Sequence, residues 1–128
     1  MSNKFTIEII TPDKQILKTE TNEATIPSYE GEMGILKDHI PLITFLRPGL
    51  IRFKDSSDKV FLVEEGTVEF SNNNLLILTT DAKEVSKLKK EELEKSLKEA
   101  EIDIKNDKFT DKDRYLLSYK IDTLRQIN

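Results

Sequence analysis

The sequence predicts an all-β amino-terminal half followed by two amphipathic helices, and three observations lead there. Up to about Lys83, apolar residues recur with a period of two or in short runs, broken by turn signals about every eight to twelve residues. From Ser86 the composition shifts to Lys, Glu, Leu and Ala, with no Gly or Pro remaining. Beyond that shift the apolar residues advance by threes and fours, the spacing of one helix stripe. The predicted architecture is a β-sandwich followed by a two-helix antiparallel hairpin, with residues 1–84 as one domain and 85–128 as the other.

Each strand has its own signal. Phe5, Ile7 and Ile9 alternate with Lys4, Thr6 and Glu8, which buries one face. Pro12-Asp13-Lys14 turns the chain into Gln15-Ile16-Leu17, and Ala24 and Ile26 lead to Pro27. Leu50-Ile51-Arg52-Phe53 ends at the polar turn 54–58, and Val60–Val63 climbs to Gly66. Thr67–Phe70 descends to Ser71-Asn72-Asn73-Asn74, where asparagine's tolerance of left-handed backbone predicts a hairpin turn. Leu75-Leu76-Ile77-Leu78 is too apolar for one wet face, so a strand buried on both faces is expected.

Leu93, Leu97, Ala100 and Ile104 form the stripe of the first helix, predicted to begin near Ser86. Lys87, Lys89 and Lys90 then lie at its positive dipole end, an unfavourable placement. The second helix begins well: Thr110 and Asp113 have capping-box spacing, and Asp111 adds an acid to the first turn. Leu117, Ile121 and Leu124 line its apolar face, flanked by Leu116 and Ile127. One stripe per helix serves mutual packing and little more, so the hairpin is expected to dock only loosely on the β half.

The bulk numbers exclude several functions. At 37% hydrophobic and 34% charged residues, no run approaches the length of a membrane-spanning helix, and no membrane insertion is expected. The amino terminus lacks the apolar run of a secretion signal and the arginine-rich character of a transit peptide. Cysteine is absent, which removes disulfides, thiolate catalysis and zinc-thiolate sites and suits a reducing cytoplasm. The first 84 residues carry nine basic and 14 acidic side chains, and the remainder eleven and ten. Neither half has the basic excess that nucleic-acid binding requires.

Residues 27–49 hold three of the four glycines, three of the four prolines and the single histidine, His39. Such punctuation specifies a backbone path. The segment resembles the signature of the epsilon subunit of F-type ATP synthases: Gly31 and Gly34, the core His39-x-Pro41-Leu42, and Pro48-Gly49 all fall in register. Lys37 stands where that pattern commonly has proline, Ile40 where it has alanine, and Glu64-Glu65 where it has small residues. The resemblance extends along the chain, since that family joins a β-sandwich to a two-helix carboxy-terminal part.

This resemblance implies a non-catalytic rotor subunit of the central stalk, coupling proton-driven rotation of a membrane ring to ATP synthesis in the catalytic head. Its implied partners are a gamma subunit, the ring-forming membrane c subunits and, transiently, the alpha/beta catalytic hexamer. Its implied place is peripheral, at the cytoplasmic face of the bacterial inner membrane. No cofactor, metal or catalytic residue is implied. Read from the residues alone, Asp38-His39 has neither a nucleophile pattern nor a second histidine beside it, so His39 is expected to organise a turn or interface. The resemblance assigns the ring interface to Glu30, Glu32, Met33, Gly34 and His39. It also gives Lys112, Arg114, Lys120 and Arg125 as candidate regulatory contacts with the catalytic hexamer, beside the plainer reading of a wet helix face. The alternative to the rotor reading is a stand-alone β-sandwich binding module dimerised through its helical tail. A small hydrolase using His39 and neighbouring acids ranks below both.

Some members of that family bind ATP through an Ile/Leu-Asp-x-x-Arg-Ala motif opening the first helix. The matching stretch here runs from Leu88 to Leu93, with Lys89 in place of the acid and Glu92 in place of the arginine. A carboxylate thus replaces the forked donor that suits phosphate oxygens. Millimolar ATP should therefore leave the melting temperature of the isolated chain unchanged. A saturable rise in that temperature with ATP would show that other residues supply the site.

Overall fold

Alternating burial organises the strands. The computed structural model describes residues 3–127. In β1 (Phe5–Ile10) Phe5, Ile7 and Ile9 are buried, while Thr6, Glu8 and Ile10 are half-buried. A turn closed by reciprocal Thr11 and Lys14 backbone hydrogen bonds leads to β2 (Gln15–Thr21), antiparallel to β1. β3 (Glu23–Ser28) and β4 (Gly31–Leu36) form a hairpin around Tyr29-Glu30, with Gly31 at φ 124°. β5 (Leu42–Leu46), β6 (Gly49–Lys54), β7 (Asp58–Val63), β8 (Gly66–Ser71), β9 (Asn74–Thr79) and the short β10 (Ala82–Glu84) complete the set.

The ladder runs β10-β7-β6-β3-β5-β8-β9-β1-β2, with β4 on the other edge of β3. All its pairs are antiparallel except β1 with β9. Between β3 and β5 a single residue pair, Ser28 opposite Leu46, carries the register. There the ladder folds into two leaves, β4-β3-β6-β7-β10 and β5-β8-β9-β1-β2. Their inner faces meet in one core, in which Ile26, Ile35, Ile51 and Val63 of the first leaf pack with Ile7, Ile9, Val68, Phe70, Leu75 and Ile77 of the second. Gly66 is required by this packing, because a Cβ there would fall 1.9 Å from the Leu78 carbonyl oxygen.

Three elements differ from the sequence expectation or were not foreseen by it. β9 buries only one face: Leu75 and Ile77 are fully buried, whereas Leu78 is 42% exposed. The punctuated segment is largely strand, since Gly31–Leu36 and Leu42–Leu46 both pair along their length. The first helix, α1 (Lys90–Asp103), starts later than Ser86, because β10 and a 3-10 turn at Val85–Lys87 come first. Ala82 is buried in that extra strand, opposite Val63. The dipole mismatch is correspondingly smaller. Lys87 lies before the helix and pairs with Glu84 at 3.4 Å, and Glu91 and Glu92 occupy the first turn of α1. Burial acts to raise the pKa of Glu84, but Lys87 and Lys59 outweigh it and hold the carboxyl below its ordinary value.

α2 (Asp111–Ile127) opens as its sequence predicts. The Thr110 backbone N–H donates to Asp113 Oδ2 at 3.0 Å, and the Asp113 N–H donates to Thr110 Oγ1 at 3.2 Å. The two helices pack on each other through Leu93 and Ala100 of α1 and Ile121 and Leu124 of α2, all buried. Arg125 meets Glu101 at 3.2 Å across them.

Two expectations follow. The Thr110 hydrogen bonds, backbone first, hold the Asp113 carboxyl below its ordinary value of 3.8. A depressed carboxylate stabilises the fold fully above that value and loses the contribution as pH falls through its lower folded value. Amide exchange in the first turn of α2 should thus quicken below about pH 3.8, and Asp113→Ala should abolish that dependence. We further propose that residues 1–84 fold without the helices. A chain ended after Glu84 should keep a β-type circular dichroism spectrum and melt cooperatively; an unstructured product would contradict this division.

Candidate interaction surfaces

Three surfaces stand out. The first surrounds the loop between β4 and β5. Asn72 and Asn73 both have positive φ, 50° and 57°, the geometry of a type I′ hairpin turn. Asn73 then clamps the neighbouring loop. The Asp38 N–H donates to Asn73 Oδ1 at 2.7 Å, and Asn73 Nδ2 donates to Asp38 Oδ1 at 2.9 Å. Asp38 itself is left-handed at φ 65°, a conformation that Asp adopts more readily than most residues. His39 is fixed in turn: its N–H donates to the Leu36 carbonyl at 3.1 Å, and its Nδ1 lies 2.7 Å from the Ile40 carbonyl oxygen. A carbonyl only accepts, so Nδ1 carries the hydrogen. The imidazole edge rests on Phe70 at 5.9 Å. These bonds give His39 the role of organising its turn. The loop presents Leu36 and Ile40 outward, 57% and 74% exposed.

The five residues assigned to a ring interface do not form one cluster around His39. Glu30 is exposed in the β3–β4 turn, at the opposite end of β4 from the His39 loop. Glu32 and Gly34 are exposed along β4, and Glu32 lies about 13 Å before Leu36 at roughly 3.3 Å per residue. Met33 points the other way and packs against the core. β4 is an edge: among the described residues no strand pairs with its outer side. A Cβ at Gly34 would meet nothing within 4 Å, so steric crowding does not require this glycine. Its effect is to leave the strand's backbone uncovered.

The second surface is the outer face of the second leaf, which sequence reasoning missed. Cross-strand pairing aligns Phe45, Thr67, Leu78 and Ile10 in one row, with Ile43 in the next. Ile43 is 80% and Phe45 64% exposed. Ile10, Pro12, Tyr29, Phe45, Leu78 and Lys112 line an apolar groove of about 560 Å³ there. The signal was present in two runs, 42–46 and 75–78, whose apolar residues occupy both faces of a strand that can bury only one.

The third surface is the seam between α2 and the sandwich. Tyr115 of α2 contacts Tyr29 at 5.6 Å and Tyr119 at 4.9 Å between ring centroids. A hydrogen bond with Tyr119 raises the Tyr115 phenol above its ordinary value. Arg47 stacks over the Tyr119 ring at 4.0 Å, and Lys120 meets Glu64 at 2.9 Å. A small cavity of about 220 Å³ beside them is lined by Pro48, Phe109, Leu116 and Leu117, among others. The docking expected to be loose consists of these few specific contacts.

Of the four cations assigned to regulation, three are engaged within the chain. Arg114 donates from Nε to the Ile104 carbonyl at 3.3 Å and from Nη2 to that of Asn106 at 3.2 Å, closing the end of α1. Lys120 and Arg125 hold Glu64 and Glu101. Lys112 is exposed at the rim of the apolar groove.

A family model described as the ATP synthase delta/epsilon chain β-sandwich domain matches residues 4–85. The ATP synthase epsilon chain of Pelagibacter ubique is 45% identical, over the whole of both chains. The chain belongs to this ATP synthase delta/epsilon family. The epsilon chain of Aquifex aeolicus is 35% identical over 72% of this chain and 74% of its own length. A chain in the Euglena gracilis mitochondrial ATP synthase structure (OSCP/F1/c-ring) aligns with a TM-score of 0.75 and 21% identity. That alignment covers 98% of this chain and 79% of the other, so the fold of a sandwich followed by two helices is shared with that chain.

Proposed function

We propose that this chain is the epsilon-type subunit in the central stalk of an ATP synthase, a rotor part with no reacting group of its own. The full-length identity of 45% to an ATP synthase epsilon chain carries this reading. The physical requirement is a stiff body with two separate contact surfaces, so that torque enters at one and leaves at the other. A two-leaf sandwich packed around one continuous core meets the stiffness requirement.

The exposed apolar face around Ile43, Phe45 and Leu78 is the surface we assign to the gamma subunit. Exposed apolar side chains in contiguous rows mark protein interfaces, and Ile43 and Phe45 are the most exposed of this face. The β4 edge with Glu30, Glu32, Met33 and Gly34, together with the loop of His39, is assigned to the ring-forming c subunits. Gly34 supports this placement, since a bare edge admits a partner's backbone. Lys112, Arg114, Lys120 and Arg125 are assigned to transient contact with the alpha/beta hexamer, Lys120 only after leaving Glu64. No helix is long and apolar enough to cross a membrane among the described residues. We accordingly place the chain peripherally at the cytoplasmic face of the bacterial inner membrane, held there by its partners.

Reconstitution of the complex tests both surfaces. Phe45→Asp should leave melting of the isolated chain within about 0.5 kcal/mol, as for other exposed positions, yet weaken gamma binding at least about tenfold. Glu32→Ala with His39→Ala, or Gly34→Val, should spare gamma binding and lower proton pumping per ATP hydrolysed. A stable homodimer that ignores gamma would instead identify a stand-alone binding module.

A further inference from the structure

The exposed face of the second leaf is not uniformly apolar. Strand register sets Ile43 opposite Glu69, Glu69 opposite Leu76, Leu76 opposite Glu8 and Glu8 opposite Lys18, one row across the leaf. This row lies two residues, roughly 7 Å, from the row of Phe45, Leu78 and Ile10. Ile43 and Leu76 therefore flank Glu69 on the two neighbouring strands. The following row, Ser71, Asn74, Thr6 and Glu20, is polar and bounds the face.

Glu69 is exposed, and among the described residues it has no hydrogen-bond or ion-pair partner. Lys18, the cation of its row, stands three strands away, about 14 Å between backbones. Glu8 differs, since the Gln15 side-chain amide donates to its carboxylate. A partner that covers Ile43 and Phe45, 80% and 64% exposed, also takes Glu69 out of water. A carboxylate covered without a counter-charge opposes binding strongly.

We infer that Glu69 is the specificity-determining residue of this face: the surface that covers Ile43, Phe45 and Leu78 carries an Arg or Lys that meets the Glu69 carboxylate above Leu76. Glu8 lies on the far side of Leu76, roughly 10 Å from Glu69 between backbones, so the cation has an acid on either side. Arg suits the position better than Lys, because its planar fork can rest on Leu76 while donating to a carboxylate. This inference rests on the reading of the face as the gamma contact and names the chemistry of that contact.

Binding of the full chain to gamma, measured at about 50 and about 300 mM sodium chloride, tests it. Glu69→Gln should weaken binding at least about tenfold at the lower salt, and Glu69→Lys at least about a hundredfold. Added salt should weaken the unmodified chain more than it weakens Glu69→Gln, because the variant has already lost the screened contact. Glu20→Gln removes the same charge from the polar row and should bind within about twofold of the unmodified chain. All three variants should melt with the unmodified chain, since both positions are exposed. Binding unchanged in Glu69→Gln, or weakened equally in Glu20→Gln, would overturn the inference. Phe45→Asp separates that failure from failure of the face assignment. If Phe45→Asp loses gamma while Glu69→Gln keeps it, the face stands and the role of Glu69 falls. If gamma binding survives Phe45→Asp, the face assignment falls and the inference with it.

Discussion

Everything in this chain depends on the fact that a strand in a two-leaf sandwich can bury only one face. The fold from one leaf to the other passes through the single pair of Ser28 and Leu46, and beyond it each strand turns one row of side chains inward. The inner rows of β1, β8 and β9 supply Ile7, Val68, Phe70, Leu75 and Ile77 to one dry layer. The outer rows are left to whatever else the molecule must do. That division produces a rigid body whose surface chemistry is free to vary.

The outer rows are used unequally. On the second leaf they stay apolar and exposed, through Ile43, Phe45 and Leu78. On β4 they are acidic or absent, with Glu32 and Gly34 along a free edge. The loop beyond β4 would be a weak point without help, but the Asp38–Asn73 exchange ties it to the β8–β9 turn. His39, the residue most suggestive of chemistry in the sequence, is spent on the same task.

The helices are attached by a different kind of force. Between them, buried Leu93, Ala100, Ile121 and Leu124 give ordinary apolar packing. Against the sandwich, the contacts are a cation over an aromatic ring, a short ion pair and a cluster of tyrosines. Apolar packing between helices persists at high salt, whereas an exposed ion pair weakens. The molecule thus combines a firm joint within the helix pair and an adjustable one beneath it.

Much of this was readable without coordinates. Period-two burial in β1, the asparagine turn at 72–73 and the Thr110–Asp113 capping box are local features, fixed by backbone geometry over a few residues, and the sequence states them directly. The signature between Pro27 and Gly49 likewise determined the family. Only the tertiary structure decided which face of β9 is wet, that β4 is a bare edge separating Glu32 from His39, and that Lys120 belongs to Glu64. It also postponed α1, because Ala82 found a place opposite Val63 that no local signal announces. The physical reason is common to all four. Whether an apolar or charged side chain is spent inside the molecule or left for a partner depends on what lies across from it. That neighbour is brought there by strand pairing and packing between residues far apart in the chain.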